Sequence, residues 1–294
     1  MRLSLVALRP TSHRRLVTPP RHAASSRWGG APVLLSCHEW CFGAMFGQFR
    51  FGRSGQSRQM NEPIFRYSTP VILFGGAPVA PAIIPLLSGL VGLPVLAADG
   101  GLHNALAAGF HPTAVIGDMD SLDTDADLPP DIQMIRCSGQ DDTDFEKSLA
   151  RIAAPLIIGV GFLDGRFDHA LAVMDVLSRP AYRRPVLLLG GSDVMLRCDG
   201  DCQLSLPAGT RLSVWPLWQQ AFHSSSGLDW PLDGLTLQAG MRTGTSNRVS
   251  DGLVTVKAAA GDGYAVIAPV DCFAAMLVAA TATFCLPEPT PRGA

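Results

Sequence analysis

The sequence predicts an α/β fold, an open sheet of parallel strands followed by a small all-β unit. From Val71 to Leu189, short uncharged apolar runs alternate with segments of helical spacing, as buried parallel strands do with their crossover helices. After Gly190 the texture changes to short alternating stretches separated by Gly, Pro, Ser and Asp clusters, the pattern of antiparallel strands. With 294 residues, 47% hydrophobic and 16% charged, length does not limit the core.

The apolar runs Val71–Phe74, Pro94–Ala98, Ala114–Ile116, Leu156–Val160 and Val186–Leu189 are the predicted buried strands. Helical spacing occupies residues 101–109, 144–154 and 168–178. In the second half, Gln203–Leu206, Arg211–Trp215, Thr236–Gln238 and Leu253–Val256 read as antiparallel strands, and 244–247 as a loop. The expected organisation is a leader over 1–66, an α/β domain over 67–192, a β domain over 193–285 and a tail over 286–294.

Charge divides the chain. Residues 1–60 hold nine Arg, no Lys and one acid, Glu39, for +8, whereas residues 61–294 hold 14 basic and 24 acidic residues, for −10. An acidic body disfavours nucleic acid and suits a cationic or metal-screened substrate. The leader is Arg-rich and acid-poor like a transit peptide. Because Met60 precedes the first strand closely, we read residues 1–59 as an upstream translation or a disordered leader instead.

The stretch Val71–Ala98 has no charge, but Gly75-Gly76 and prolines at 78, 81, 85 and 94 break it into strand, turn and short helix, so no membrane span is expected. Seven cysteines without a paired framework fit a reducing, cytoplasmic location. Cys37-His38 with Cys41, and Cys198 with Cys202, are too loosely spaced to predict a zinc site.

The chemistry lies in three acidic clusters: Asp99-Gly100-Gly101, then Gly117-Asp118-Met119-Asp120-Ser121, then Asp141-Asp142-Thr143-Asp144 with Lys147. Asp118 and Asp120 emerge where a strand ends, and alternation about Met119 turns both to one cleft. Such close carboxylates repel unless a cation sits between them, which is the case for Mg²⁺; the plainer reading is a solvated acidic turn, as Asp123, Asp125 and Asp127 suggest just downstream. Thr143-x-x-Glu146 is a capping box, so a helix starts there with Asp144 and Lys147 on one flank, either at a phosphate or as a surface ion pair. Gly165-Arg166-Phe167-Asp168-His169 has the makings of a phosphate loop. Trp230 beside Asp229 offers an aromatic face for a flat cation, or a core residue, and Ser246-Asn247 offers polar groups or a turn.

In order, Asp99-Gly100-Gly101, Gly117–Ser121, Asp141–Lys147, Gly165–His169 and Ser246-Asn247, with Gly227–Leu232 before the last, resemble the motifs of the thiamine pyrophosphokinase family from about Val71 to Pro269. The resemblance implies a Rossmann-like ATP domain, a β-sandwich thiamine domain and a homodimer with sites at the subunit interface. It implies that thiamine attacks the β-phosphorus of ATP to give thiamine diphosphate and AMP, with Mg²⁺ as cofactor. It assigns Asp118, Asp120 and Asp144 to metal and catalysis, and Asp99, Asp141, Lys147, Gly165, Arg166, Asp168 and His169 to ATP and its phosphates. Trp230, Ser246 and Asn247 fall to thiamine. The chain departs from the family's pattern at Leu102-His103 before Asn104, at Asp164, and at Arg248. A pyrophosphokinase acting on another alcohol such as a hydroxymethylpterin, and a non-catalytic nucleotide sensor, are the alternatives.

Overall fold

The structure, a computed structural model, describes residues 63–121, 129–137 and 142–282. The leader, the Cys37–Cys41 set, Asp123, Asp125, Asp127, Asp141 and the tail lie outside the described residues.

The first half builds β1 (Phe65–Arg66), β2 (Val71–Phe74), α1 (Ile84–Leu87), β3 (Val95–Ala98), α2 (Gly101–Ala107), β4 (Ala114–Gly117) and β5 (Gln133–Arg136). It continues through α3 (Asp144–Arg151), β6 (Ile152–Ala153), β7 (Ile157–Val160), α4 (Phe167–Ser178) and β8 (Val186–Leu189). Strands β8, β7, β2, β3, β4 and β5 lie side by side in that order, all parallel. Both faces are covered. Along β2, Val71 and Leu73 join the core under α3 and α4, while Ile72 and Phe74 join the opposite core beneath α1, so alternation sends successive side chains to different but equally dry faces. β5 is a strand of the parallel sheet that the sequence pattern missed, because as an edge strand its Gln133, Met134 and Arg136 are exposed.

Helix α3 starts at its predicted cap, where Thr143 Oγ1 accepts from the Glu146 amide at 3.2 Å. Phe145 and Leu149 are buried beneath it. The Glu146 carboxylate accepts from Arg179 at 2.5 Å and from the Tyr182 hydroxyl at 3.2 Å, which ties α3 to the end of α4.

The second half is β9 (Asp193–Cys198), β10 (Cys202–Ser205), β11 (Arg211–Pro216), β12 (Gln219–Ser226), β13 (Thr236–Gln238), β14 (Gly244–Arg248), β15 (Leu253–Gly261) and β16 (Tyr264–Pro269), closed by α5 (Phe273–Ala282). Pairing turns antiparallel across Gly190–Ser192, yet the sheet runs on without a break through β9, β16, β11 and β14 to ten strands. A separate four-stranded sheet, β10-β15-β12-β13, packs against it. Leu204, Val254 and Val256 of that sheet share one core with Leu212, Val214 and Val266 of the long sheet, and with Ile158 and Leu187 of the parallel part. The chain is thus an α/β protein dominated by sheet.

The segment 244–247, expected as a loop, is instead strand β14, paired with β11 at the sheet edge. Its hydroxyl-rich sequence hides the strand because one face meets a cavity instead of a core. β12 is concealed because Gln219, His223 and Ser224 are exposed.

Candidate functional site

Strand order reverses direction at β2: the chain moves to β3, β4 and β5 on one side and later to β7 and β8 on the other. Ligands of open α/β sheets bind in the crevice at the carboxyl ends of strands at such a point. Here the loops after β2 and β7 touch. A Cβ on Gly161, at φ 77°, would meet Gly75 O at 2.5 Å, so that neither backbone admits a side chain. Asn104 Nδ2 donates to Gly75 O at 2.6 Å and Ala77 O at 2.8 Å, which gives this asparagine of α2 the task of holding the loop after β2. The crevice holds about 620 Å³ and is lined by Asp99, Asn104, Asp144, Phe162, Arg166 and His169, among others.

Three carboxylates converge at the ends of β3 and β4. Asp99, Asp118 and Asp120 each place an oxygen within 4.8 Å of the others. Asp99 is 3% exposed, takes the left-handed φ of 43°, and has a buried Oδ1 with no hydrogen-bond partner among the described residues. Met119 adopts φ 71° and buries its side chain with Leu102 and Val115, and this inward turn leaves Asp118 and Asp120 on the outside together. Gly117 is required beneath them, since a Cβ there would lie 2.8 Å from Asp99 Cβ. Hard oxygen donors, one of them dehydrated and unpaired, are the donor set a Mg²⁺-sized ion fits.

Asp144 stands apart from this trio and meets it through Lys147. Lys147 Nζ donates to Asp118 Oδ2 at 2.8 Å and to Asp144 Oδ1 at 2.9 Å, and the side chain is 7% exposed. The lysine bond holds the Asp118 carboxyl below its ordinary range. Burial pushes Asp144 up, against the same lysine. Burial also acts to lower the Lys147 ammonium, but its two carboxylate partners outweigh this and raise it.

The Gly165–His169 loop opens α4. Gly165, at φ 80°, packs where a Cβ would be 2.7 Å from Pro78. Arg166 grips Asp168 through two bonds of 3.1 and 2.6 Å, and this pair and His169 are exposed. Asp164, the departure beside the loop, accepts from the Gly191 amide at 2.8 Å, so its charge is tied to the β8–β9 turn.

A second cavity, of about 340 Å³, lies in the β-rich half, and Trp230, Ser246 and Asn247 all line it. Asn247, 4% exposed, is a clasp: its Oδ1 accepts from the Trp230 amide at 3.2 Å and the Arg248 amide at 2.8 Å, and its Nδ2 donates to Trp230 O at 2.7 Å. Trp230 is 58% exposed, with the Arg248 guanidinium 6.0 Å from its ring centre. Ser246, at φ 59°, donates its amide to Ser213 Oγ at 3.1 Å. Sequence reasoning missed Ser213 and also Arg242, a cation on the rim of this cavity, because neither belongs to a motif.

Residues 94–188 match the sequence model of the family described as "Thiamin pyrophosphokinase, catalytic domain". The chain is 27% identical over 180 residues to Thiamin pyrophosphokinase 1 of Caenorhabditis elegans, covering 55% of this chain and 74% of that one. Its fold resembles the crystal structure of thiamine pyrophosphokinase from Bacillus subtilis, with a TM-score of 0.58, 19% identity, and coverage of 69% of this chain and 100% of that one. The thiamin pyrophosphokinase of Geobacillus thermodenitrificans gives a TM-score of 0.56 at 22% identity over 68% of this chain and 97% of its own.

Proposed function

We propose that this chain, which belongs to the thiamine pyrophosphokinase family, is a thiamine diphosphokinase that moves the terminal diphosphate of ATP onto the hydroxyl of thiamine. The observation that carries the reading is the convergence of Asp118 and Asp120 on Asp99, which lines the crevice that suits a nucleotide. In the reaction the thiamine oxygen bonds to the β-phosphorus, the bond from that phosphorus to the oxygen bridging it to the α-phosphorus breaks, and AMP leaves. The hydroxyl proton goes to a carboxylate or to solvent.

The residues divide by what they touch. Asp99, Asp118 and Asp120 would hold Mg²⁺, with the unpaired Asp99 oxygen completing the set. Bound there, the ion supplies charge neutralisation for the phosphate oxygens. Asp144, raised by burial and facing the crevice, is suited to receive the proton. Lys147 orients Asp118 and Asp144 from below, and reaches a phosphate by exchanging one of these partners. Arg166, Gly165, Asp168 and His169 form the nucleotide-facing loop, where Arg166 would exchange Asp168 for phosphate. Asp141 is assigned to the phosphates from its motif.

Thiamine carries a flat cationic ring, which suits the exposed face of Trp230. Ser246 and Asn247 supply the polar wall, and we read this half as a β-sandwich thiamine domain beside a Rossmann-like ATP domain. The two cavities have no lining residue in common, and the family resemblance adds to the proposal a homodimer in which the Trp230 cavity of one subunit serves the acids of the other. Among the described residues no helix is long and apolar enough to cross a membrane, and a cytoplasmic site of action is part of the proposal.

The test is incubation of the full chain with ATP, Mg²⁺ and thiamine, with AMP and thiamine diphosphate followed by chromatography. Equimolar formation of both is expected. ATP binding without either product would overturn the acceptor and point to another alcohol or to a sensor.

A further inference from the structure

The β-rich half, residues 193–282, holds five Lys and Arg residues. Four of them are tied to a carboxylate: Arg197 to Asp199, Arg211 to Asp193, Arg248 to Asp229 and Lys257 to Asp201. Arg242 is different. No carboxylate pairs with its guanidinium among the described residues, and it lines the Trp230 cavity. Its backbone is fixed there, since the Arg242 amide donates to Gln238 O at 3.1 Å and its carbonyl accepts from the Gln238 amide at 2.9 Å, closing the turn between β13 and β14.

Among the described residues Arg242 is the charged member of this wall: no carboxylate lines the cavity, and its polar neighbours there are Thr243, Thr245, Ser246 and Asn247. Arg248, 6.0 Å from the Trp230 ring centre, adds little net charge because Asp229 neutralises it. In a cavity of about 340 Å³, a guanidinium on the rim acts on any charge that a seated ligand carries. Arg242 therefore opposes the positive ring of thiamine and attracts a phosphate, which an arginine fork grips bidentately. The sign of the charge fits what the proposed reaction makes better than what it consumes, since thiamine is a cation and thiamine diphosphate is a net anion at neutral pH.

Resting on the functional reading above, we propose that Arg242 binds the diphosphate group of the product, thiamine diphosphate, at the rim of the Trp230 cavity. The ring stays on Trp230 while the new phosphates gain a partner that thiamine does not use. The cavity then favours product over substrate, and thiamine diphosphate inhibits in competition with thiamine.

The experiment is calorimetric titration of the full chain, with Mg²⁺ present, by thiamine diphosphate and separately by thiamine, for the wild type, Arg242→Ala and Arg242→Lys. For Arg242→Ala, affinity for thiamine diphosphate is expected to fall about tenfold while affinity for thiamine stays within about twofold or rises, with Arg242→Lys intermediate. Retained thiamine binding shows that the variant is folded. Equal weakening of the two ligands, or unchanged affinity for thiamine diphosphate, would overturn the assignment. Formation of thiamine diphosphate from ATP and thiamine by the wild type is scored separately. Selective loss of thiamine diphosphate binding without turnover by the wild type keeps Arg242 as a diphosphate ligand and rejects the enzyme, whereas turnover without selective loss keeps the enzyme and rejects Arg242. A wild type that binds neither ligand rejects both.

Discussion

Lys147 Nζ sits 2.8 Å from Asp118 Oδ2, with the lysine side chain 7% exposed and the aspartate 24% exposed. Asp144 closes the arrangement from the other side at 2.9 Å, so one ammonium separates two carboxylates. Lys147→Met removes the cation and leaves the pair facing each other. Because both acids keep some contact with water, the expected loss of stability is about 1–3 kcal/mol, below that of a fully buried pair. Added Mg²⁺ should recover more stability in the variant than in the wild type. Thermal unfolding with and without the ion checks this, and a variant as stable as the wild type in metal-free buffer would show that the bridge contributes nothing.

Asp99 should govern metal affinity. Its left-handed backbone, φ 43°, is one that Asn adopts as readily as Asp, so Asp99→Asn changes charge with little strain. Affinity at oxygen sites follows the charge of the ligand set, and Mn²⁺ binding should weaken at least about tenfold. Removing a buried carboxylate whose Oδ1 has no partner among the described residues should leave metal-free stability unchanged or higher. Mn²⁺ titration by paramagnetic resonance gives the first quantity and thermal unfolding the second; unchanged Mn²⁺ affinity would take Asp99 out of the site.

Asp118 and Asp120 were legible in the sequence because a strand end and an intervening Met gather them locally. The parallel strands β2, β3, β4, β7 and β8 were legible for a related reason, since burial on both faces leaves continuous apolar runs. The relation of Asp99 to that pair was not, since it depends on β3 lying beside β4 and on the missing side chain at Gly117. Lys147 looked like a flank residue of an isolated helix, and only the packing of α3 over β4 buries it against Asp118. Strands β5, β12 and β14 escaped because many of their side chains face solvent or a cavity, whereas β9 and β16 escaped although they are buried on both faces.

Asp144 has a pH signature. Burial raises its carboxyl above the ordinary Asp range, so the folded chain holds this proton more tightly than the unfolded chain. The group then favours folding at low pH, and stability is lost as pH climbs from the ordinary Asp value through the raised one. In metal-free buffer, Asp144→Asn should therefore be at least as stable as the wild type at neutral pH, with any advantage fading as the pH falls below the ordinary carboxyl range. Turnover should fall about 10²- to 10⁴-fold in the same variant. Denaturant unfolding across pH tests the first half, and a variant less stable at neutral pH would mean that the Lys147 bond outweighs burial.

Trp230 and Asn247 separate binding of the acceptor from binding of the nucleotide. Trp230→Ala removes the exposed ring and should raise KM for thiamine about tenfold, while KM for ATP stays near its original value. Asn247→Ala acts one step back. It frees the amides of Trp230 and Arg248 and the Trp230 carbonyl from their partner, at a cost of about 1–3 kcal/mol where those groups stay dry. It should raise the thiamine KM as well, because the loop that presents the ring is no longer held. Steady-state kinetics with each substrate varied in turn distinguishes the two roles from a general defect. If Trp230→Ala moved only the ATP KM, the cavity would belong to the nucleotide and the acceptor would have to enter elsewhere.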